Sequence, residues 1–273
     1  MSGLVIDHGN PWWLSPNVWA VSASHPTDSS PGELSPVAGK QYFLKAQVRN
    51  TETFRINNVQ VNLYWAHSSL AITRSNAHLV GNAFVSVDGG KTAEVLCLSP
   101  WVPTFVIQGH ECLIAEIAQE NTTSSLLLDA INDPHVAQRN LSVVMTLGPS
   151  SFHFPFEVSN LERNEQIFTI NAQQANQEQL AAVVHSFGHD LHIPLEGTIG
   201  KLGFIRTPFP DPHTTTETIP RVEELKLGPY ERLGYSAVGE LEGNAALIHV
   251  TQTIENRVVG GLSILVIHRQ KEQ

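Results

Sequence analysis

The sequence predicts an all-β protein of two tandem antiparallel β-sandwiches, the second carrying a short helix. Three observations predict it. Short segments alternate apolar and polar residues with a period of two, as half-buried strands do. Gly, Pro and Asn punctuate these segments at turn-length intervals. The chain has 273 residues, too many for one sandwich of roughly 100 and suited to two.

The elements follow in order. Residues 3–23 form an irregular, aromatic-rich lead-in, and 24–39 a Pro-, Ser- and Gly-rich loop. In 41–50, Tyr42, Leu44, Ala46 and Val48 share one side of a strand. Val59, Val61 and Leu63 do the same in the next. Residues 82–87 and 92–98 read as a hairpin closed by Asp88-Gly89-Gly90, because Asp-Gly supplies positive-φ positions. Residues 112–117 and 136–147 complete the first unit. Gly148-Pro149-Ser150-Ser151 punctuates the chain, so the domains are set at 1–148 and 149–273.

In the second unit, Phe152, Phe154, Phe156 and Val158 alternate along an opening strand, and 166–171 form the next. Leu180, Val183, Val184 and Phe187 recur at helical spacing across 177–187, with Gly188 as terminator; two short strands are the alternative. Residues 207–220 carry four Pro and a Thr run and read as a long loop. Residues 225–231 read as strand, turn, strand. Residues 247–253 and 262–268 are β-prone, with Gly260-Gly261 as the turn between them. No sequence repeat links the halves.

Composition narrows function. Hydrophobic residues are 41% and charged ones 15%, with a formal net charge of -10. Such an acidic chain repels phosphate backbones, which argues against nucleic acid, and it lacks a basic face for a membrane surface. Met1 to His8 has neither the charged nor the apolar region of a secretory signal, and no apolar run reaches a membrane span. The expectation is a protein that is cytoplasmic or exported by a leaderless route. Cys97 and Cys112 are then expected reduced and buried.

Six pieces of the first half resemble the Ig-like, CARDB-type adhesion modules of bacterial surface and secreted proteins. They are Ser15-Pro16-Asn17-Val18-Trp19, Val48-Arg49-Asn50, Leu63-Tyr64-Trp65-Ala66, Trp101-Val102-Pro103, the segment from His110 to Ala115, and Val136-Ala137-Gln138-Arg139-Asn140. The resemblance covers about residues 10–147. It implies an Ig-like sandwich and a non-catalytic role, without implying a ligand.

Candidate chemistry is sparse. His185, His189 and His192 have metal-like spacing, but Gly188 interrupts a helix there and no Glu between the first two offers a general base. His110 and Cys112 would share a strand face and could chelate jointly, but a thiol packed in the core and an imidazole capping the strand is the stronger reading. Asp133-Pro134-His135 and Asp211-Pro212-His213 read as turns. Glu223 and Glu224 are adjacent in a strand and point apart. Gly-x-Ser-x-Gly and P-loop patterns are missing. The expectation is no catalysis, no cofactor and no metal.

Two binding readings remain. Trp12, Trp13, Trp65 and Trp101, with Trp19, would stack on sugar rings if exposed, and would staple the lead-in to the first sandwich if buried. The last strand, residues 261–268, has no charge or Pro; Leu265 and Ile267 would face outward and form an interface if it lies at an edge. The function read here is a structural or protein-interaction scaffold, part of a homo-oligomer or larger assembly. The alternatives are a carbohydrate-binding module and a metal-dependent hydrolase at His185–His192.

Overall fold

The computed structural model describes residues 3–28, 32, 36–104, 111–118, 128–146, 151–187, 193–206 and 219–268. Its described residues are mostly β-strand with one helix, and they divide into two compact units. Unit 1 is Met1–His67 with Ile72–Asn140; unit 2 is Ser68–Ala71 with Leu141–Gln273.

The described residues of unit 1 form eight strands: β1 (Leu4–Val5), β2 (Val18–Ser22), β3 (Tyr42–Asn50), β4 (Ile56–His67), β5 (Ala77–Val87), β6 (Thr92–Trp101), β7 (Glu111–Ile117) and β8 (Val136–Arg139). β1, β2 and β6 all pair with β3 in one sheet; the other runs β5-β4-β7-β8. The predicted alternation is real: Tyr42, Leu44, Ala46 and Val48 join Val59, Val61 and Leu63 in the core of this unit. Asp88-Gly89-Gly90 does not close a hairpin. β5 pairs with β4 and β6 with β3, so this turn carries the chain between the two sheets.

Unit 2 comprises β9 (Leu141–Thr146), β10 (Ser151–Ser159), β11 (Gln166–Gln174), α1 (Gln177–Phe187), β12 (Gly197–Arg206), β13 (Ile219–Pro220), β14 (Val222–Leu227), β15 (Arg232–Gly243), β16 (Ala245–Ile254) and β17 (Arg257–His268). Its sheets are β10-β15-β12-β13 and β14-β11-β16-β17-β9. Phe154, Phe156, Phe204 and Tyr235 fill the core, with Phe156 and Phe204 centroids 5.9 Å apart. The predicted helix is present. Asn176 Oδ1 accepts from Gln179 N at 2.8 Å and Gln179 Oε1 from Asn176 N at 3.0 Å, a reciprocal cap that starts it. Leu180, Val183 and Val184 are its buried stripe.

Three expectations change. The strand expected at 136–147 is two: β8 pairs with β7 in unit 1, and β9 runs parallel to β17 in unit 2. Gly260-Gly261 is not the turn. The chain reverses at Glu255-Asn256, both at positive φ (47° and 66°), as a tight two-residue connection requires. Gly260 instead lies inside β17, where a Cβ would meet the Leu70 carbonyl oxygen at 2.1 Å. β12 was not anticipated, because its three glycines and the register shift between Gly200 and Gly203 hide the alternation.

The two units share a topology. The pairings β3–β6, β4–β5, β4–β7 and β7–β8 recur as β10–β15, β11–β14, β11–β16 and β16–β17. α1, β12 and β13 are the insertion between β11 and β14. A buried asparagine marks the same corner in each. Asn50 Nδ2 donates to Phe54 O (2.8 Å) and Val87 O (3.0 Å), and its Oδ1 accepts from Glu52 N (2.9 Å). Asn160 Nδ2 donates to Asn164 O and Gly228 O (both 2.8 Å), and its Oδ1 accepts from Glu162 N (2.9 Å). The only local sequence trace is Val-x-Asn-x-Glu at Val48–Glu52 and Val158–Glu162.

Candidate functional site

The sequence candidates are placed first. Trp13, Trp19 and Trp101 are buried, and Trp101 packs near Tyr42 with centroids 6.0 Å apart. Trp12 and Trp65 are half-buried. Trp12 stands edge-on to Trp13 at 5.3 Å. Trp65 is stacked by His78 at 4.3 Å and met edge-on by His67 at 5.0 Å. The five rings therefore do not form one flat platform, and Trp65 already has a stacking partner.

His185 is exposed on the last turn of α1. His189, His192, His110, the loop at 207–218 with Asp211-Pro212-His213, and residues 148–150 lie outside the described residues. Among the described residues no group of three His, Cys, Asp or Glu is placed to hold a metal ion. Glu111 accepts from Thr104 N (3.0 Å) and Thr104 Oγ1 (2.9 Å), while burial raises its carboxyl above the ordinary range. Cys112 is buried with Tyr64 and Ile114, and burial pushes its thiol up; Cys97 lies in the separate cluster between the sheets. Both are free thiols. Asp133-Pro134-His135 is a turn: Asp133 Oδ1 accepts from His135 N at 2.9 Å.

Leu265 and Ile267 do not form an exposed interface. β17 lies between β16 and β9, so it is an interior strand, and both side chains are buried (0% and 4% exposed). The apolar run covers both faces of a strand buried on both sides, which removes the reason for placing a partner there.

One neighbour in that sheet supplies a pH prediction. His249 on β16 shares a 2.8 Å hydrogen bond with Ser263 Oγ, and burial lowers its pKa to about 4 from an ordinary 6.5. The unfolded chain therefore takes up this proton first as pH falls. Stability is fully present above 6.5 and lost between 6.5 and about 4. The loss is expected to be on the order of 1–3 kcal/mol. Denaturant melts from pH 7 to 4 check this, with His249→Gln giving a flatter profile; an unchanged profile would count against it.

The surface the sequence did not reveal is the outer face of β5-β4-β7. Val59, Val61 and Leu63 face the core of unit 1, so Gln60, Asn62 and Tyr64 point away from it. Tyr64 OH donates to Glu116 Oε2 at 2.9 Å, and Arg74 grips both carboxylate oxygens. Burial raises the Glu116 carboxyl, but donors on Arg74, Tyr64 and Asn62 outweigh it and hold it below its ordinary value. This carboxylate is neutralised and fixed, a poor proton carrier and a good brace.

Beside this brace runs β5, the edge of its sheet. Leu79 and Phe84 on it are 58% and 56% exposed, and Leu98 on β6 is 72% exposed. From Ala77 to Val87 it has no Pro and no Asp, Glu, Lys or Arg. Pairing β5 with β6 in a hairpin concealed this edge at the sequence level. β6 still runs alongside β5 without ladder hydrogen bonds: a Cβ at Gly81 would meet Ser99 Oγ at 2.5 Å and Cys97 Sγ at 2.8 Å.

No protein-family model matches the chain. The curated proteins also give no match. Among solved structures, the chain is similar to a CARDB domain from Pyrococcus furiosus crystallised with di-metal ions, at 17% identity and TM-score 0.29, over 45% of this chain and 86% of that one. It is similar to the CupB6 tip adhesin of Pseudomonas aeruginosa at 12% identity and TM-score 0.27, over 100% of both chains. It is also similar to red sea bream transglutaminase at 11% identity and TM-score 0.21, over 87% of this chain but only 30% of that one.

Proposed function

We propose that this protein is a non-catalytic scaffold that works by binding protein, as a subunit or accessory of a larger assembly. The observation that carries this reading is the set of large apolar side chains that β5 and β6 hold in solvent: Leu79, Phe84 and Leu98. Exposed apolar side chains on a rigid double-sheet frame fit contact with another chain better than chemistry. The notable carboxylates support this: Glu116 is locked by Arg74 and Tyr64, and Glu223 pairs with Arg206.

The second reading is carbohydrate binding, favoured by the partial exposure of Trp12 and Trp65. Tryptophan fluorescence separates the two, because all five Trp lie in unit 1. Titration of the full chain with a panel of neutral and acidic oligosaccharides is expected to give no saturable change. A saturable change abolished by Trp65→Ala or Trp12→Ala would overturn the scaffold reading and install the sugar reading.

A further inference from the structure

We propose that His67 and His78 form a two-imidazole site for a divalent transition-metal ion in unit 1. The site is independent of the scaffold reading, which stands or falls on other grounds.

Strand pairing builds what sequence spacing does not announce. His67 ends β4, and His78 lies near the start of β5. The two strands are antiparallel, with Trp65 directly opposite His78. His67 therefore stands diagonally from His78 on the same face, within reach of a long or aromatic side chain. The imidazole centroids are 5.9 Å apart with 75° between the ring planes. A cation ~2 Å from one nitrogen of each ring sets the centroids about 5 Å apart at a tetrahedral angle, so a small rotation of the side chains closes the site.

Trp65 holds both rings. Its indole stacks on His78 at 4.3 Å with 21° between planes, and meets His67 edge-on at 5.0 Å. Rings already confined lose less freedom on binding. An imidazole ligates through one nitrogen and hydrogen-bonds through the other, so ligation leaves each ring a second contact. His78 is exposed and His67 half-buried, so a cation reaches them from solvent.

Glu111 supplies the nearby negative charge. It is opposite His67 across β4 and β7, hence on the same face. Its Oε1 is held by Thr104 N (3.0 Å) and Thr104 Oγ1 (2.9 Å). Its Oε2 and the nearby Trp101 Nε1 are both buried, and neither has a hydrogen-bond partner. A water bound to the cation satisfies both, accepting from the indole and donating to the carboxylate. Glu111 is thus a positioning residue and not a third ligand, in keeping with the lack of a three-residue metal group among the described residues. Two imidazoles suit Cu2+, Zn2+ or Ni2+, whereas Ca2+ and Mg2+ take oxygen ligands. Cu2+ is expected to bind tightest.

Titration of the full, untagged chain with copper(II) chloride tests this, read by calorimetry and by quenching of tryptophan fluorescence, since Trp65 touches both ligands. One saturable site is expected, with Zn2+ competing for it and Ca2+ not. Glu111→Gln is expected to weaken it about 10-fold, and His67→Gln and His78→Gln each at least as much. His185→Gln, on α1, should leave it unchanged. Electron paramagnetic resonance of the wild-type Cu2+ complex needs no variant and should show coupling to two nitrogens. The absence of any saturable site overturns the proposal. So does a site that keeps its affinity in both histidine variants, or one whose copper couples to a single nitrogen.

Discussion

Asn160→Ala is expected to destabilise unit 2 by about 2–4 kcal/mol, and Asn50→Ala to do the same to unit 1. Each asparagine is 1% exposed and occupies the corner where one sheet passes to the other. Its amide N–H groups serve two carbonyls at 3.0 Å or less, and its carbonyl accepts a backbone N–H two residues on. The backbone N–H of each is also engaged, to Lys91 O and Glu231 O, both at 2.9 Å. Alanine keeps that last bond and removes the rest. Buried carbonyls and an amide lose their partners with little room for water to replace them, which costs more than the hydrogen bonds themselves contribute. Aspartate would be worse, because a carboxylate cannot donate and would face carbonyl oxygens. Separate equilibrium melts of the two variants check this. Near-neutral values for both would mean the corner is held by strand packing alone.

How much of this was legible follows from what local sequence encodes. Alternation encodes which side of a strand is wet, so β3, β4 and β10 could be read directly from Tyr42–Val48, Val59–Leu63 and Phe152–Val158. The helix was legible because Leu180, Val183 and Val184 recur at 3.6-residue spacing. Pairing was not. Asp88-Gly89-Gly90 satisfies a tight turn whether the flanking strands join one sheet or two, and only long-range packing decides. The same ambiguity produced the false edge at β17. Leu265 and Ile267 look like an outer face only if the strand has an outer face. Gly260-Gly261 looked like a turn because glycine marks both reversals and close approaches, and the sequence does not say which. The Val-x-Asn-x-Glu corners were visible in principle, but five residues are too few to declare a repeat before the shared topology is known.

Leu70→Ala is expected to destabilise unit 2 by about 2–5 kcal/mol while leaving unit 1 unmoved. The reason lies in where Ser68–Ala71 belongs. These four residues follow β4 in sequence but pack as part of unit 2. Leu70 is 1% exposed within the core that holds Phe154 and Phe156. Leu70 N donates to Glu157 O at 3.0 Å and Glu157 N to Ser68 O at 3.1 Å, so the segment adds a short parallel rung beside β10. Gly260 makes the approach possible, since a Cβ there would sit 2.1 Å from the Leu70 carbonyl oxygen and 2.6 Å from its carbonyl carbon. Gly260→Ala therefore forces backbone apart and is expected to cost at least as much as the cavity left by Leu70→Ala. The clash is with main chain, so Leu70→Ala should not relieve it, and the double variant should be no more stable than Gly260→Ala alone. The tryptophans make the assignment direct. All five report unit 1, so fluorescence follows that unit while calorimetry sees both. In Leu70→Ala the calorimetric transition of unit 2 should fall and the fluorescence transition should hold its place. If the two fall together, the units unfold as one cooperative body. A fragment of unit 2 lacking residues 68–71 would then be destabilised for two reasons, by the missing Leu70 and by the missing half of that body.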